Sequence, residues 1–244
     1  IQNLSAGQYS VVITDSNNCV YLDTLDLVQP LVLSFTESSD SVSCYGYNDG
    51  LIDLSVFGGT SPYSYFWNTT DTTQDISNLT SGSYNVDIYD LNNCVVSTSI
   101  FIYEPDELVS YFNLNYVSCF GLSDGNIDAV PLGGTLPYSI SWSSGDTTED
   151  LQNIPSDMYI FNITDINNCY FTDTIVVFEP NELEAELTFV NGTLVSLGIG
   201  GTTPYTYSVY SPTGSIFAST SNNMGVSFTI NPVLTGTYTL VVID

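Results

Sequence analysis

The chain has 244 residues, of which 27 are Asp or Glu and none is Lys, Arg or His, so its formal net charge is −27. This charge excludes nucleic acid as a partner, because phosphate recognition needs cationic side chains that displace counterions. Attraction to anionic membrane surfaces is excluded for the same reason. Without His or Lys there is no ordinary base for a Ser or Cys nucleophile, so we predict no catalytic residues and no enzyme activity.

The remaining composition indicates an ordered β protein. Hydrophobic residues make up 43% of the chain and aromatic residues 13%, which argues against disorder. Thr, Ser, Val, Tyr and Ile are abundant, as is typical of strands. No apolar run reaches the length of about 18 residues that a membrane-spanning helix needs, so we predict no membrane insertion. The chain starts in mid-repeat without a signal peptide, and we expect it to be a segment of a longer protein.

An internal repeat organises the chain. Residues 62–94 return at 137–169, 75 residues later; the second half of this stretch also occurs at 3–19, and a remodelled copy occupies 204–244. A period of this length indicates an array of small domains.

In chain order, residues 1–30 are expected to form the C-terminal strands of a preceding repeat, one over 9–15 and one over 19–27. Residues 31–105 form the first complete repeat. Its period-two patterns and turn signals predict six strands, at 31–37, 51–57, 62–68, 72–79, 83–90 and 94–103. Short strands with turns at this spacing are typical of an immunoglobulin-like β-sandwich.

Residues 106–180 match the first repeat position by position. Both repeats end in Glu-Pro without a flexible linker, which predicts a semi-stiff rod. Residues 181–244 form a variant β-sandwich repeat that lacks its last strand. In the variant, Asn191-Gly192 replaces the Cys-bearing loop and predicts a two-residue hairpin, and an insertion over 211–225 predicts an added hairpin.

Aromatic residues that recur at matching positions of the repeats are interpreted as structural. Trp67 and Trp142 lie in mid-strand, where a sandwich buries an aromatic side chain between its sheets. Four tyrosines follow a turn at the start of a strand and are similar to the tyrosine corner of such folds: Tyr9, Tyr84, Tyr159 and Tyr238.

Acidic residues in loops and turns are candidate ligands for Ca²⁺, which favours hard oxygen donors. The competing interpretation is that Asp and Asn populate turns because their side chains bond the local backbone. No complete ligand spacing of the EF-hand type is present. We predict no required cofactor and Ca²⁺ as the one candidate metal. The candidate ligands are Asp49, Asp53, Asp90, Asp124, Asp128 and Asp165.

Five cysteines occur without any CxxC pair, which argues against zinc. Two per repeat predict disulfides and an oxidising compartment. Pairing within domains, Cys44 with Cys94 and Cys119 with Cys169, is simplest by count. However, loops at opposite ends of a sandwich lie roughly 25 to 30 Å apart, whereas disulfide Cα atoms lie within about 7 Å. The alternative pairs Cys44 with Cys169 of the next domain and leaves Cys19, Cys94 and Cys119 to partners outside this segment. The third alternative is that the cysteines are free thiols.

Residues 1–180 resemble the SprB repeat of Bacteroidota cell-surface adhesins, and the remainder resembles it more loosely. The resemblance rests on VSCYGYNDG, GGTSPYSYFW, TTQDISNLTSGSYNVDIYDLNNC and the closing EP. The sandwich also resembles modules of the polycystic-kidney-disease (PKD-like) type. The resemblance implies a very large protein exported to the cell surface, with a role in adhesion and in gliding motility.

We therefore expect a structural repeat segment of an extracellular adhesin or filament, an acidic and protease-resistant rod. Its expected partners are neighbouring repeats, surface polysaccharide or other filament chains. The alternative is a glycan-binding module that uses Tyr45, Tyr47 and Phe120. The resemblance also draws attention to Asp-Ser/Thr triplets similar to O-glycan acceptors of that phylum. Their hydroxyl residues are Thr24, Ser41, Thr72, Thr147 and Thr174.

Overall fold

The computed structural model describes residues 2–190, 193–214, 216–222, 226–229 and 236–244. These residues form twenty β-strands, and none of them forms a helix. Within the same residues there is consequently no helix long and apolar enough to cross a membrane. The chain divides into two compact units, 1–106 and 107–244, which are described separately.

The first unit contains a hairpin and one complete sandwich. The hairpin pairs β1 (Gly7–Thr14) with β2 (Val20–Leu27). The sandwich has two three-stranded antiparallel sheets, in the orders β3-β4-β6 and β5-β7-β8. Its strands are β3 (Ser34–Asp40), β4 (Gly50–Phe57), β5 (Ser64–Trp67), β6 (Ile76–Leu79), β7 (Gly82–Tyr89) and β8 (Val95–Ile102).

The second unit begins with a sandwich of the same topology, in the orders β9-β10-β12 and β11-β13-β14. Its strands are β9 (Val109–Asn115), β10 (Gly125–Leu132), β11 (Ser139–Trp142), β12 (Leu151–Ile154), β13 (Asp157–Thr164) and β14 (Tyr170–Val177). We call residues 31–105 repeat 1, residues 106–180 repeat 2 and residues 181–244 the variant repeat. The prediction of an all-β chain of tandem immunoglobulin-like sandwiches is confirmed.

Alternation along the strands builds the core of repeat 1. Ile52 and Leu54 on β4 and Val86 and Ile88 on β7 are buried, while the residues between them are exposed. Since successive side chains of a strand point to opposite faces, one face of each sheet packs against the other sheet. Trp67 closes this core with 5% of its surface exposed.

The prediction that both tryptophans are buried is confirmed, since Trp142 is 4% exposed. The indole N–H of Trp67 donates to the carbonyl of Thr73 at 2.9 Å, and Trp142 makes the same bond to Thr148 at 2.9 Å. The polar edge of each buried ring is thereby satisfied. Trp142 also packs against Phe161, with ring centroids 4.8 Å apart.

The tyrosine corners are confirmed for Tyr9, Tyr84 and Tyr159. Each hydroxyl donates to the backbone carbonyl four residues earlier, at 2.8, 2.9 and 2.9 Å. Tyr238 stands one residue before β20, but residue 234 lies outside the described residues.

Strands β3 and β6 depart furthest from the bounds predicted for repeat 1. Strand β3 begins at Ser34, not at residue 31, because its partner β4 ends at Phe57 and the first ladder pair is Ser34 with Phe57. Strand β6 begins at Ile76, not at residue 72. Upstream of it, the carboxylate of Asp75 accepts the N–H of Leu54 at 2.9 Å and takes the place of a ladder partner.

The variant repeat pairs β15 (Glu184–Val190) with β16 (Thr193–Ile199), and Val190 lies opposite Thr193. The predicted turn Asn191-Gly192 itself lies outside the described residues. The remaining strands are β17 (Tyr205–Tyr210), β18 (Ile216–Asn222), β19 (Val226–Thr229) and β20 (Thr239–Ile243).

Among the described residues of 211–225 the insertion contributes one strand, β18, so the predicted added hairpin forms with β17 and not within the insertion. Strand β18 pairs with β17, while β19 pairs with β16 as β12 pairs with β10. The insertion therefore adds one strand to the edge of an existing sheet, whose order is β18-β17-β20. An added edge strand gains ladder hydrogen bonds, whereas a free two-stranded hairpin is only marginally stable in water.

Candidate functional site

Repeat 1 has two chemically different ends, and the first is where the chain enters. The N–H of Gly59 in the turn after β4 donates to the carbonyl of Leu31 at 2.7 Å. The N–H of Leu91, in the turn between β7 and β8, donates to Thr60 at 2.8 Å. The start of the repeat and the turn that carries Cys94 therefore lie together, and we call this the entry end.

The loop with Cys44 lies at the other end, where the chain leaves. The N–H of Val42 donates to the carbonyl of Tyr103 at 3.1 Å, and the N–H of Gly46 donates to the carboxylate of Glu104 at 3.1 Å. Repeat 2 makes the same two bonds, Val117 to Phe178 at 3.0 Å and Gly121 to Glu179 at 2.7 Å. The closing Glu-Pro therefore holds the cysteine loop at this exit end.

An internal carboxylate also shapes the cysteine loop. Asp49 accepts the backbone N–H of Ser43 at 2.9 Å and its hydroxyl at 2.5 Å. Asp124 accepts the same two groups of Ser118 at 3.0 and 2.6 Å. Because these donors favour the ionised form, the side-chain and then the backbone hydrogen bond of the serine lower the pKa of each carboxyl.

At the entry end, Asp90 is buried at 4% exposure and organises the turn before Cys94. One carboxylate oxygen accepts the N–H groups of Asn92 and Cys94, each at 2.8 Å, and the other accepts Thr60 at 2.9 Å. Burial opposes the charged form of Asp90, but the backbone donors Cys94, Thr60 and Asn92 outweigh it and lower the pKa.

The candidate metal ligands do not converge in the described part of the chain. There, no three His, Cys, Asp or Glu side chains are grouped so that they could hold a metal ion. Asp49, Asp90, Asp124 and Asp165 use their oxygens on local backbone groups, and Asp128 accepts the amide of Asn113 at 3.0 Å. Specific Ca²⁺ binding, including any contribution of Asp53, stays a prediction.

The cysteines differ in oxidation state. Cys44 and Cys169 are disulfide-bonded, and Cys19, Cys94 and Cys119 are free thiols. Neither within-domain pair is therefore formed. The separation of the entry end from the exit end is the physical reason, because the eight residues of β7 alone span about 26 Å.

The candidate glycan contacts and modification sites are accessible. Tyr45, Tyr47 and Phe120 are each about half exposed. The five candidate O-glycan acceptors are all exposed as well: Thr24, Ser41, Thr72, Thr147 and Thr174. Accessibility permits both roles and assigns neither.

One surface of repeat 1 was not predicted from the sequence. A shallow groove on the outer face of the β5-β7-β8 sheet is lined by Phe66, Asn68, Asn85, Asp87 and Ser97. These residues occupy the outward phase of three predicted strands, so the alternation could have identified them. The alternation does not specify the order of the strands in the sheet, and that order places these residues side by side.

Comparisons with known proteins agree with a repeat array. Residues 36–72 and 114–147 match the family model of the SprB repeat, so these two segments are similar to that repeat. No curated protein matches the chain.

Among solved structures, the central fibronectin-III array of RIM-binding protein is similar at 12% identity. The similarity covers 88% of this chain and 96% of that chain, with a TM-score of 0.21. A TM-score this low supports no inference about function, and the fold assignment rests on the strands and sheets of the chain itself.

Proposed function

We propose that the chain is a structural repeat segment of a long extracellular adhesin or surface filament, in which it acts as an acidic, protease-resistant rod. The observation that carries this proposal is the separation of the two ends of the repeat. The chain enters beside Leu31 and Gly59 and leaves beside Val42 and Tyr103, at the opposite end of the sheets. Repeats with this polarity can be joined head to tail without a long linker.

The composition supports exposure at a cell surface. With no Lys or Arg in 244 residues, proteases that cleave after basic residues have no site in the chain. A net charge of −27 keeps neighbouring rods apart and soluble. Adhesion or gliding is the role proposed for the parent protein, in keeping with the SprB-type segments.

Disulfides between successive repeats would stiffen such a rod. We infer a bond between Cys44, at the exit end of repeat 1, and Cys169, at the entry end of repeat 2. Both residues are disulfide-bonded, whereas Cys94 and Cys119 are free. In forming the S–S bond, the two thiols lose two protons and two electrons to an oxidised dithiol–disulfide exchange protein, which is reduced to its dithiol.

Peptide mapping of the full chain under non-reducing conditions tests the disulfide. Digestion with a protease that cleaves beside acidic or aromatic residues is expected to yield one peptide that joins Cys44 to Cys169. A peptide that joins Cys44 to Cys94 would contradict the proposal. Cys94→Ser is the matched control and should leave the map unchanged, whereas Cys44→Ser should release Cys169 as a free thiol.

Small-angle scattering of the same protein tests the rod. We expect a maximum dimension that increases by about one domain length for each repeat included, since extended arrays add length linearly. The dimension should vary more widely among conformers once the disulfide is reduced. A compact particle whose maximum dimension does not grow with repeat number would contradict the rod proposal.

Localisation is tested on intact cells of the source organism. An antibody raised against the chain should label cells that have not been permeabilised. Labelling that requires permeabilisation would contradict a surface role.

A further inference from the structure

The outer face of the β5-β7-β8 sheet in repeat 1 carries a row of three side chains that face solvent together. Phe66 on β5 lies opposite Asp87 on β7, and Asp87 lies opposite Ser97 on β8. The inner face of the same sheet is sealed by buried residues such as Val86 and Ile88. The core therefore does not explain why an aromatic ring stands at the centre of the outer face.

Two aromatic pairs lie on this face. Phe66 is 55% exposed and meets Tyr89 edge-on, with ring centroids 5.6 Å apart. Phe101 is 50% exposed and meets Tyr103 edge-on at 4.7 Å. Ser97 and Phe101 are four residue steps apart, which is about 13 Å along β8. Aromatic rings fixed against each other at the surface lose little conformational entropy when a ligand binds.

The floor between the aromatic pairs is polar and ordered. Ser97 donates its hydroxyl to one oxygen of Asp87 at 2.6 Å. The side-chain amide of Asn68 donates to the carbonyl of Ser83 at 3.1 Å, and its oxygen accepts the N–H of Asn85 at 3.1 Å. Within the described part of the chain, the amide of Asn85 and the second oxygen of Asp87 keep their hydrogen-bonding capacity for a ligand.

We propose that this face, which we call the Phe66 face, binds a neutral oligosaccharide. A pyranose ring presents an apolar C–H surface, which stacks on an aromatic ring, and hydroxyl groups that both donate and accept hydrogen bonds. Amide and carboxylate side chains are suited to these hydroxyls. An acidic sugar or a phosphorylated ligand is disfavoured by Asp87 and by the net charge of −27.

The shape of the Phe66 face favours an extended chain over a small molecule. The groove beside Asn68 and Asn85 continues into a second depression lined by Ser64, Tyr89 and Asn93, and the two share Phe66 and Asp87. Small-molecule sites are usually enclosed and mainly apolar. An open, polar trough with an aromatic ring in it instead fits successive sugar units along a strand.

Repeat 2 shows that the fold does not require these side chains. In the matching register, Ser141 lies on β11 and Asn162 and Thr172 lie opposite each other on β13 and β14. Ser141 and Val176 stand where repeat 1 has Phe66 and Phe101. The side-chain oxygen of Asn162 already accepts a hydrogen bond from the hydroxyl of Tyr170 at 2.7 Å. Repeat 2 is therefore an internal control that shares the fold but lacks aromatic side chains at the positions of Phe66 and Phe101.

The test uses the full chain and immobilised neutral polysaccharides, namely dextran, yeast mannan and laminarin, with alginate as an acidic comparison. We expect binding to at least one neutral polysaccharide and none to alginate. Phe66→Ala should weaken that binding roughly tenfold or more, as loss of a central aromatic contact does. Tyr170→Ala, which removes an exposed aromatic ring from the corresponding face of repeat 2, should leave it unchanged.

Three results would overturn the proposal. The first is that the unmodified chain binds none of the neutral polysaccharides. The second is that Phe66→Ala binds as tightly as the unmodified chain. The third is that Tyr45→Ala or Phe120→Ala abolishes binding while Phe66→Ala retains it. A thermal melt of each variant excludes unfolding as the cause. The disulfide and scattering experiments are independent of the binding experiment. If the Phe66 face binds no polysaccharide, the rod proposal is unaffected, and if the rod proposal is contradicted, polysaccharide binding by the Phe66 face is unaffected.

Discussion

Repeat 1 and repeat 2 share an interior and differ in their outer surface. Inward positions carry the same or similar residues, such as Trp67 and Trp142, and the carboxylates of Asp90 and Asp165 bond their turns in the same way. Outward positions of the second sheet diverge, from Phe66 to Ser141 and from Asn85 to Ile160. The frame is therefore repeated, while each outer face is free to acquire its own chemistry.

The largest expected effect tests the shared interior. Trp67→Ala and Trp142→Ala should each cost about 3 to 5 kcal/mol of unfolding free energy, because a buried aromatic is replaced by a cavity. Trp142→Ala should cost more, since it also loses its contact with Phe161. Differential scanning calorimetry of the full chain measures both. Phe66 is the neighbour of Trp67 but points outward, so Phe66→Ala should change the unfolding free energy by no more than about 0.5 kcal/mol. An equal loss of unfolding free energy in Phe66→Ala and Trp67→Ala would contradict the assignment of inward and outward residues on this strand.

The second largest expected effect is the difference in stability cost between alanine substitutions at two glycines that share the left-handed backbone conformation. Gly58 has φ of 73° and Gly46 has φ of 72°. A methyl group on Gly58 would overlap the carbonyl oxygen of Val32, whereas one on Gly46 would meet no atom within 4 Å. Gly46→Ala should cost about 1 to 2 kcal/mol for its conformation alone. Gly58→Ala should cost clearly more in chemical denaturation, and equal costs would contradict the close approach at the entry end.

A third prediction extends the comparison to the variant repeat. The hydroxyl of Ser196 is fully buried and has no hydrogen-bond partner among the described residues, and repeat 2 has buried Ala129 at the corresponding position. Ser196→Ala should therefore stabilise the variant repeat by about 1 kcal/mol, because an unsatisfied buried group is removed. The reverse change, Ala129→Ser, should destabilise repeat 2. Calorimetric shifts of the same sign in both variants would contradict this reasoning.

The tyrosine corners offer a smaller and more uniform test. Tyr84→Phe and Tyr159→Phe each remove one hydroxyl that bonds a backbone carbonyl at 2.9 Å. Each should cost about 1 kcal/mol in equilibrium unfolding. Tyr9→Phe should cost less, because the β1-β2 hairpin is exposed along its length. Unequal losses in repeats 1 and 2 would show that the two frames are less alike than their hydrogen bonds indicate.

The smallest effects come from pH and salt. The pKa values of Asp49, Asp90 and Asp124 are lowered by folding from the ordinary 3.8. Their contribution to stability is thus fully present above that value and is lost as pH falls through the lower folded pKa. Between pH 7 and about 4, acidification should instead raise the melting temperature, since the charge of −27 repels itself.

Thermal melts from pH 7 to pH 2 should therefore pass through a maximum, and a continuous rise to pH 2 would contradict the prediction. Added salt should stabilise the chain near neutral pH by screening. Equal melting temperatures in chelator and in millimolar Ca²⁺, at matched ionic strength, would contradict specific Ca²⁺ binding.

The candidate sites were only partly visible in the sequence. The cysteine loop and the Asp-containing turn are continuous stretches, and each was recognised from its recurrence 75 residues later. The Phe66 face was missed because its members come from three strands. Phe66 and Ser97 are neighbours of Asp87 only through the β5-β7-β8 order, which no local pattern specifies.

The sequence alone determined the repeat, through its recurrence after 75 residues. It also determined the inward phase of the strands, the burial of Trp67 and Trp142 and the tyrosine corners, because these follow from period-two alternation or from contacts four residues apart. The tertiary structure decided the start of β3, the pairing of β18 with β17 and the hydrogen bond from the Gly46 N–H to the carboxylate of Glu104. Those features depend on which distant backbone groups meet, and Gly46 and Glu104 are 58 residues apart along the chain. Hydrogen bonds of that range are set by the packing of whole strands, and only the folded chain brings their partners together.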